Sequence, residues 1–298
     1  MDKIVECVPN FSEGRRERVV DEIVAAMSIA GLKMLDREMD ADHNRSVITF
    51  AGEPRAVEDA AFRGIAAAAR LIDMDAHRGE HPRIGATDVV PFVPVRGVTM
   101  DDCVAIARRL GERVARELDI PVYLYERAAT RPERCDLAYI RRGEYEALKQ
   151  EITTNPDRAP DFGPKRIGKA GATVIGARPY LIAYNVNLAT SDLKIAKDIA
   201  ATIREKNGGL PSVKAKGFML REKNIAQVSM NLTDYTTTGM LTAFNTVKAE
   251  AAKRGVQVLE SELIGMVPLQ ALTQVAAQAL LLPKLSADQV LDMKIFGE

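Results

Sequence analysis

Two stretches of strict alternation constrain this chain most. Over residues 181–188, Ile182, Tyr184, Val186 and Leu188 share one face, and Ala183, Asn185 and Asn187 share the other. Over 226–232, Val228, Met230 and Leu232 stand opposite Gln227, Ser229 and Asn231. A period of two marks a strand with one buried face. Around these strands the signals read as a helix over 191–206 stopped by Gly208 and Gly209, a strand over 213–220, a helix over 239–253 ended by Gly255, a strand over 256–264 and a helix over 268–281.

The first half repeats the order. Strands are expected at 4–8, 32–35, 46–50, 88–95 and 122–125. Helices are expected at 15–28, at 54–71 with Pro54 in its first turn, and at 99–118 behind a Thr-Met-Asp-Asp cap. Both halves therefore read βαββαβ plus a helix. That is an α/β (α+β) order, two ferredoxin-like units with helices on one face of an antiparallel sheet. The halves share no visible sequence identity. Subdomains are expected over 1–178 and 179–298, with the Pro- and Gly-rich stretch 151–178 as linker and loop. The uncovered sheet face of the second half carries Asn185, Asn187, Gln227, Ser229 and Asn231. These are uncharged hydrogen-bonding groups, which suit a ligand groove as well as a wet surface.

Composition narrows the function. Lys plus Arg and Asp plus Glu both number 41, so the net charge is zero, which argues against a nucleic-acid binder. The 3 cysteines, Cys7, Cys103 and Cys135, have no disulfide or zinc spacing and fit a reducing compartment. No signal peptide and no membrane-spanning run is read, so a cytoplasmic protein is expected.

The chemistry-bearing residues cluster in loops. Of the 3 histidines, His77 and His81 lie in DMDAHRGEHPRIGATDVVPF, where Gly79, Pro82 and Gly85 rule out a helix. Polar residues in such a loop before an apolar strand describe an active-site loop better than a core. A zinc pair is not expected, because His77 and His81 are not on a helix and Glu80 precedes His81 directly. His43 sits in a second cluster, DADHNR, before a strand. A third, VPNFSEGR, holds Ser12 as an expected N-cap and Glu13 at the helix dipole; capping leaves Asn10 and Phe11 unexplained.

At these clusters the sequence resembles glutamate formiminotransferase, the transferase half of formiminotransferase-cyclodeaminase. The matching segments include VECVPNFSEG (5–14), NRSVITFAGEP (44–54), IDMDAHRGEHPRIGATDVVPFVPVRGVTMDDC (72–103), RRGEYEAL (141–148), LIAYNVNL (181–188) and EKNIAQVSMNLTDY (222–235), and they run in order along nearly the whole chain. The resemblance implies a stand-alone transferase without the cyclodeaminase half. Its activity would move a formimino group from N-formimino-L-glutamate to N5 of tetrahydrofolate, which serves as co-substrate with no metal. It also implies two α/β subdomains with a substrate tunnel between them, and His81 of the EHPR motif as the catalytic residue. The folate-contacting loop maps to Gly163, Pro164, Lys165, Arg166, Ile167, Gly168, Lys169, Ala170 and Gly171, one residue shorter than the vertebrate form and lacking its aromatic.

One imidazole can take a proton from N5 and return it to the glutamate amine. The cationic amidine calls for a carboxylate, with Asp40, Glu80 and Asp88 as candidates. The substrate carboxylates call for guanidinium forks, with Arg45, Arg83 and Arg178 as candidates. Asn10, Asn44, Asn187 and Asn231 complete the expected substrate-binding set. Partners are expected to be small molecules, with no nucleic acid, no membrane and a homodimer as the assembly. A related transferase using a formyl donor or 5-formyltetrahydrofolate, a folate-binding module without turnover, and a metal-dependent hydrolase are the competing readings.

Overall fold

The computed structural model describes residues 3–220 and 223–296. Two compact units divide the chain, Met1–Pro179 and Tyr180–Glu298.

The first unit runs β1 (Ile4–Cys7), β2 (Asn10–Phe11), α1 (Glu17–Met27), β3 (Leu32–Asp40), β4 (Arg45–Gly52), α2 (Pro54–Leu71), β5 (Thr87–Arg96), α3 (Met100–Leu118), β6 (Val122–Glu126), α4 (Leu137–Ile140), α5 (Glu144–Glu151) and β7 (Thr173–Ala177). β3 pairs with β4, while β1 and β2 each pair antiparallel with both β4 and β5, as two pieces of one interrupted strand. That arrangement is the ferredoxin-like sheet order, extended beyond β5 by β7 and β6. α2 starts with Pro54 at its first turn, and Thr99 and Asp102 close a capping box on α3. The apolar faces of these helices bury Ile65, Ile106 and Leu110 against Phe11, Phe50 and Phe92 of the sheet.

Three expectations change here. The segment 151–178 is not simply a linker, because it contains β7, fully buried and parallel to both β5 and β6. The first sheet is therefore mixed rather than antiparallel. A short continuous apolar run is how a strand buried on both faces reads, and the surrounding Gly and Pro mask it. Nor does Ser12 cap α1, whose N-cap is Arg16. β2 occupies residues 10–11, so the helix begins later. Ser12 Oγ donates to the Gly85 carbonyl at 2.7 Å, and Glu13 accepts the backbone N–H groups of Arg15 and Arg16 at 3.0 and 2.9 Å.

The second unit runs β8 (Ile182–Leu188), α6 (Leu193–Ile203), β9 (Val213–Leu220), β10 (Ile225–Leu232), α7 (Met240–Ala252), β11 (Val258–Ile264), α8 (Leu269–Ala279) and α9 (Leu291–Phe296). Its order, β11-β8-β10-β9, is antiparallel throughout and ferredoxin-like. Ile182, Val186, Val228 and Leu232 are buried in its core with Ile199 and Val247, as the alternation predicts.

The opposite face is more charged than expected. β11 lies beside β8, so Asn187 Nδ2 donates to Glu260 at 3.0 Å and Asn185 Nδ2 to Glu262 at 3.3 Å. Gln227 Nε2 donates to Asn187 Oδ1 at 2.9 Å. Lys214 and Lys216 of β9 stand in register with Asn231 and Ser229. Asn187 is thus buried with both ends of its amide engaged, whereas Asn231 is exposed.

Candidate active site

The loop between α2 and β5 carries the EHPR motif, and its shape is fixed by groups from all around it. Arg83 is buried and forms a two-pronged pair with Glu146 at 2.6 and 2.8 Å and a further bond to Glu144 at 2.6 Å. Its Nε also donates to His77 Nδ1 at 3.3 Å. A guanidinium cannot accept, so His77 Nδ1 is the acceptor and Nε2 carries the hydrogen, which it gives to the Asn44 carbonyl at 3.0 Å. Burial and the neighbouring Arg83 hold His77 below the usual histidine range, so it stays neutral. Asp88 accepts the Ile84 N–H at 2.9 Å and is paired with Arg141.

The segment 163–171 belongs to the same assembly. The Ala86 N–H donates to the Ala170 carbonyl at 2.8 Å, Ala172 N–H to Ile84 at 2.9 Å, and Met74 N–H to Lys169 at 2.8 Å. This zipper requires two glycines. A Cβ on Gly85 would lie 2.0 Å from the Ala172 carbonyl oxygen, and one on Gly171, at φ +74°, would lie 2.4 Å from that of Ile84. Residues 168–171 therefore sit against the His81 loop of the same unit. Lys165, Arg166 and Lys169 are exposed along the segment, Arg166 paired with Asp119 and Lys169 with Asp73 at 3.4 Å. Ile167 packs into the core beneath.

His81 is half-buried in a small pocket that also holds His43, Arg45, Asn10 and Asp88. Its pKa is pushed down to about 2 by burial, then by the positive charges of Arg45 and Arg141. It is therefore a neutral imidazole at any physiological pH, with a lone pair available. Arg45 donates from Nε and Nη2 to the Asn10 side-chain oxygen at 2.8 and 2.5 Å. Burial and then the charge of Arg141 disfavour the Arg45 cation, while the carboxylates of Asp88, Glu38 and Asp40 favour it. A half-buried guanidinium held by a neutral amide suits an incoming anion.

The other expected residues fall elsewhere. Asp40 is bound to His43 through both its backbone N–H and its ring, at 2.8 and 2.6 Å. Asn44 locks the loops together, accepting the Gly14 N–H at 3.0 Å and donating to the Arg78 carbonyl at 2.9 Å. Glu80 is exposed. Arg83 and Asp88 line the pocket, but their charges are already matched within the protein, so neither keeps the open fork or open carboxylate expected of it. Arg178 donates to the Pro179 carbonyl at 3.1 Å, and its charge bears on Glu6 and Tyr125. His43 and Arg141 were not singled out for a role by sequence, although DADHNR and RRGEYEAL contain them.

Glu6, on β1, is 5% exposed, and burial pushes its carboxyl up to about 7 against the pull of Arg178. A carboxyl raised this way favours folding below its unfolded pKa and loses that contribution as pH rises through 7. Glu6→Gln is therefore expected to raise the melting temperature more at pH 8, above the titration window, than at pH 5, near its lower edge. Equal shifts at the two pH values, by calorimetry, would contradict the raised pKa.

Among the described residues no three His, Cys, Asp or Glu side chains group as metal ligands would, and no helix is long and apolar enough to cross a membrane. Cys7 and Cys103 are buried and Cys135 is exposed, all as free thiols.

Known proteins match nearly the whole chain in sequence. Residues 4–178 match the formiminotransferase domain, N-terminal subdomain, and residues 183–286 match the formiminotransferase domain. The glutamate formimidoyltransferase of Thermoplasma acidophilum is 55% identical over 295 residues, covering 98% of this chain and 97% of that protein. The glutamate formimidoyltransferase of Streptococcus pyogenes serotype M1 is 48% identical over 278 residues, covering 93% of each. The formimidoyltransferase-cyclodeaminase of Mus musculus is 46% identical over 285 residues, 93% of this chain but 52% of that protein. With both its units matched and its relatives this similar along their length, the chain belongs to the formiminotransferase family.

Proposed function

We propose that this protein transfers the formimino group of N-formimino-L-glutamate to N5 of tetrahydrofolate, releasing L-glutamate and 5-formiminotetrahydrofolate, with His81 moving the proton. The observation that carries this reading is a neutral imidazole set beside the guanidinium of Arg45, itself held by the neutral amide of Asn10, in one pocket. Relatives at 48 and 55% identity bear the corresponding name.

Arg45 holds a carboxylate of the donor, and Asn10 keeps its fork in plane. Once that carboxylate is bound, it offsets the positive field that suppresses protonation of His81. The imidazole then becomes a better base at the moment it is needed. His81 accepts the proton lost as N5 bonds to the amidine carbon and returns it to the departing amine nitrogen. The exposed cations of segment 163–171 suit the anionic glutamate tail of the folate, and the backbone zipper to residues 84–86 sets that segment beside the His81 loop. Arg83, His77 and Asp88 hold the loop in shape. We read the enzyme as a cytoplasmic homodimer acting on small molecules, without a metal, in histidine degradation.

The test is an assay of the purified chain with tetrahydrofolate and either formimino- or formyl-glutamate. Formation of 5-formiminotetrahydrofolate from the first donor is expected. Turnover of the formyl donor alone would replace the substrate assignment. Tetrahydrofolate is also expected to raise the melting temperature, by about 2.7 kcal/mol of stabilisation at a concentration a hundred times Kd. No shift at millimolar ligand removes the folate reading.

A further inference from the structure

His43 has no part in the scheme so far, yet its ring lies 6.3 Å centroid to centroid from that of His81, edge to face at 71°. It stands in the tight turn between β3 and β4. Asp40, the last residue of β3, accepts its backbone N–H at 2.8 Å and contacts its Nδ1 at 2.6 Å. A carboxylate only accepts, so Nδ1 carries the hydrogen and Nε2 keeps its lone pair. Burial would raise Asp40, but the backbone and ring of His43 hold it below the usual carboxylate range, so it is ionised. The His43 side chain is 46% exposed and packs in no core cluster. A histidine so oriented, beside a catalytic imidazole and outside the core, has no evident structural task.

The two rings sit in opposite electrostatic surroundings. His81 faces Arg45 and Arg141, both of which disfavour a positive imidazole. His43 instead has its Nδ1 against the Asp40 carboxylate at 2.6 Å. A proton lifted from the attacking nitrogen must be kept until the amine is ready to leave, and the Asp40 carboxylate beside His43 supplies a counter-ion for it.

Resting on the functional reading proposed for this site, we propose that the Asp40–His43 pair is a proton relay for His81. The N–H that His81 gains from the attacking nitrogen is broken as a new N–H forms at His43 Nε2, and the electron pair of the broken bond stays on His81. The proton resides on His43 as an imidazolium paired with the Asp40 carboxylate. It returns by the same route when the amine departs, so no proton is gained or lost over the cycle. With the ring centroids 6.3 Å apart, the ring nitrogens lie beyond hydrogen-bond reach of one another, so the transfer runs across one water, which takes the proton from His81 as it gives another to His43 Nε2. His43 is the relay residue, and Asp40 is a positioning residue that sets its tautomer and stabilises its charge.

The experiment uses the full chain with formimino-glutamate and tetrahydrofolate. His43→Ala is expected to lower kcat about 10²-fold, the low end for a positioned proton-transfer group, with KM for both substrates and the melting temperature unchanged. Added imidazole should restore its turnover in proportion to concentration, because the vacated site is open to solvent. His43→Gln, which can still hydrogen-bond Asp40 but cannot carry a proton, should lose as much as His43→Ala. Asp40→Asn should lower kcat without being rescued by imidazole. Turnover of His43→Ala within twofold of the parent overturns the relay, as does a loss that appears in KM and does not respond to imidazole. If the parent chain itself fails to transfer the formimino group, the functional reading falls and the relay falls with it.

Discussion

Replacing His81 by alanine lowers kcat by about 10²–10⁴-fold, the contribution expected of a positioned proton-transfer group, and leaves the affinity for tetrahydrofolate nearly unchanged. The argument is local. His81 is held in a loop whose shape depends on Arg83, His77, Asp88 and Ser12, none of which bonds to the His81 ring. Removing the imidazole therefore leaves the loop and the zipper to residues 170–172 in place, and binding should survive while the proton transfer fails. His77→Ala is the control. It breaks the buried bonds to Asn44 and Arg83 and should act through stability, lowering the melting temperature, with a much smaller loss of kcat. Steady-state kinetics with thermal denaturation separates the two. If His77→Ala lost the larger factor in kcat at unchanged stability, or if His81→Ala stayed within tenfold of the parent, the assignment would be reversed.

The elements legible in the sequence are those with a period. Both alternating strands of the second unit, the Pro54 helix and the Thr99-capped helix stand where their patterns put them, because amphipathic burial dictates them locally. β7 and β2 lack a period. β7 is apolar on both faces, since β5 and β6 flank it in a parallel sheet, and β2 is only two residues long. The site was legible as clusters but not as pairings. That His81 lies in an irregular polar loop follows from its Gly and Pro neighbours. That Arg83 is spent on Glu144 and Glu146, or that Asp40 holds His43, depends on contacts no local pattern encodes. Arg45 and Arg83 look alike in sequence. What separates them is the partner: Arg83 is paired at 2.6 Å with both Glu144 and Glu146 of α5, whereas Arg45 donates to the neutral amide of Asn10.

That distinction makes Arg45→Gln the sharpest test of substrate binding. Glutamine can still donate to the Asn10 side-chain oxygen, so the strand and turn around it should persist. What is lost is a charge-assisted contact to the donor carboxylate, worth about 1.5–3 kcal/mol, so KM for formimino-glutamate should rise by roughly 10- to 150-fold at a factor of ten per 1.4 kcal/mol. A second consequence follows from the same charge. Arg45 is one of the groups that hold the His81 pKa near 2, so without it that pKa rises. Protonation removes the lone pair below the pKa, and the acid limb of kcat/KM for the variant should therefore move to higher pH than in the parent. Arg45→Lys separates the two effects: the retained charge should keep the acid limb low, while the lost fork leaves KM elevated. The same substitution in Arg83 should do neither, because its partners are Glu144 and Glu146, and should instead destabilise the fold. An Arg45→Gln variant with parental KM and an unmoved acid limb would show that the donor carboxylate is held elsewhere.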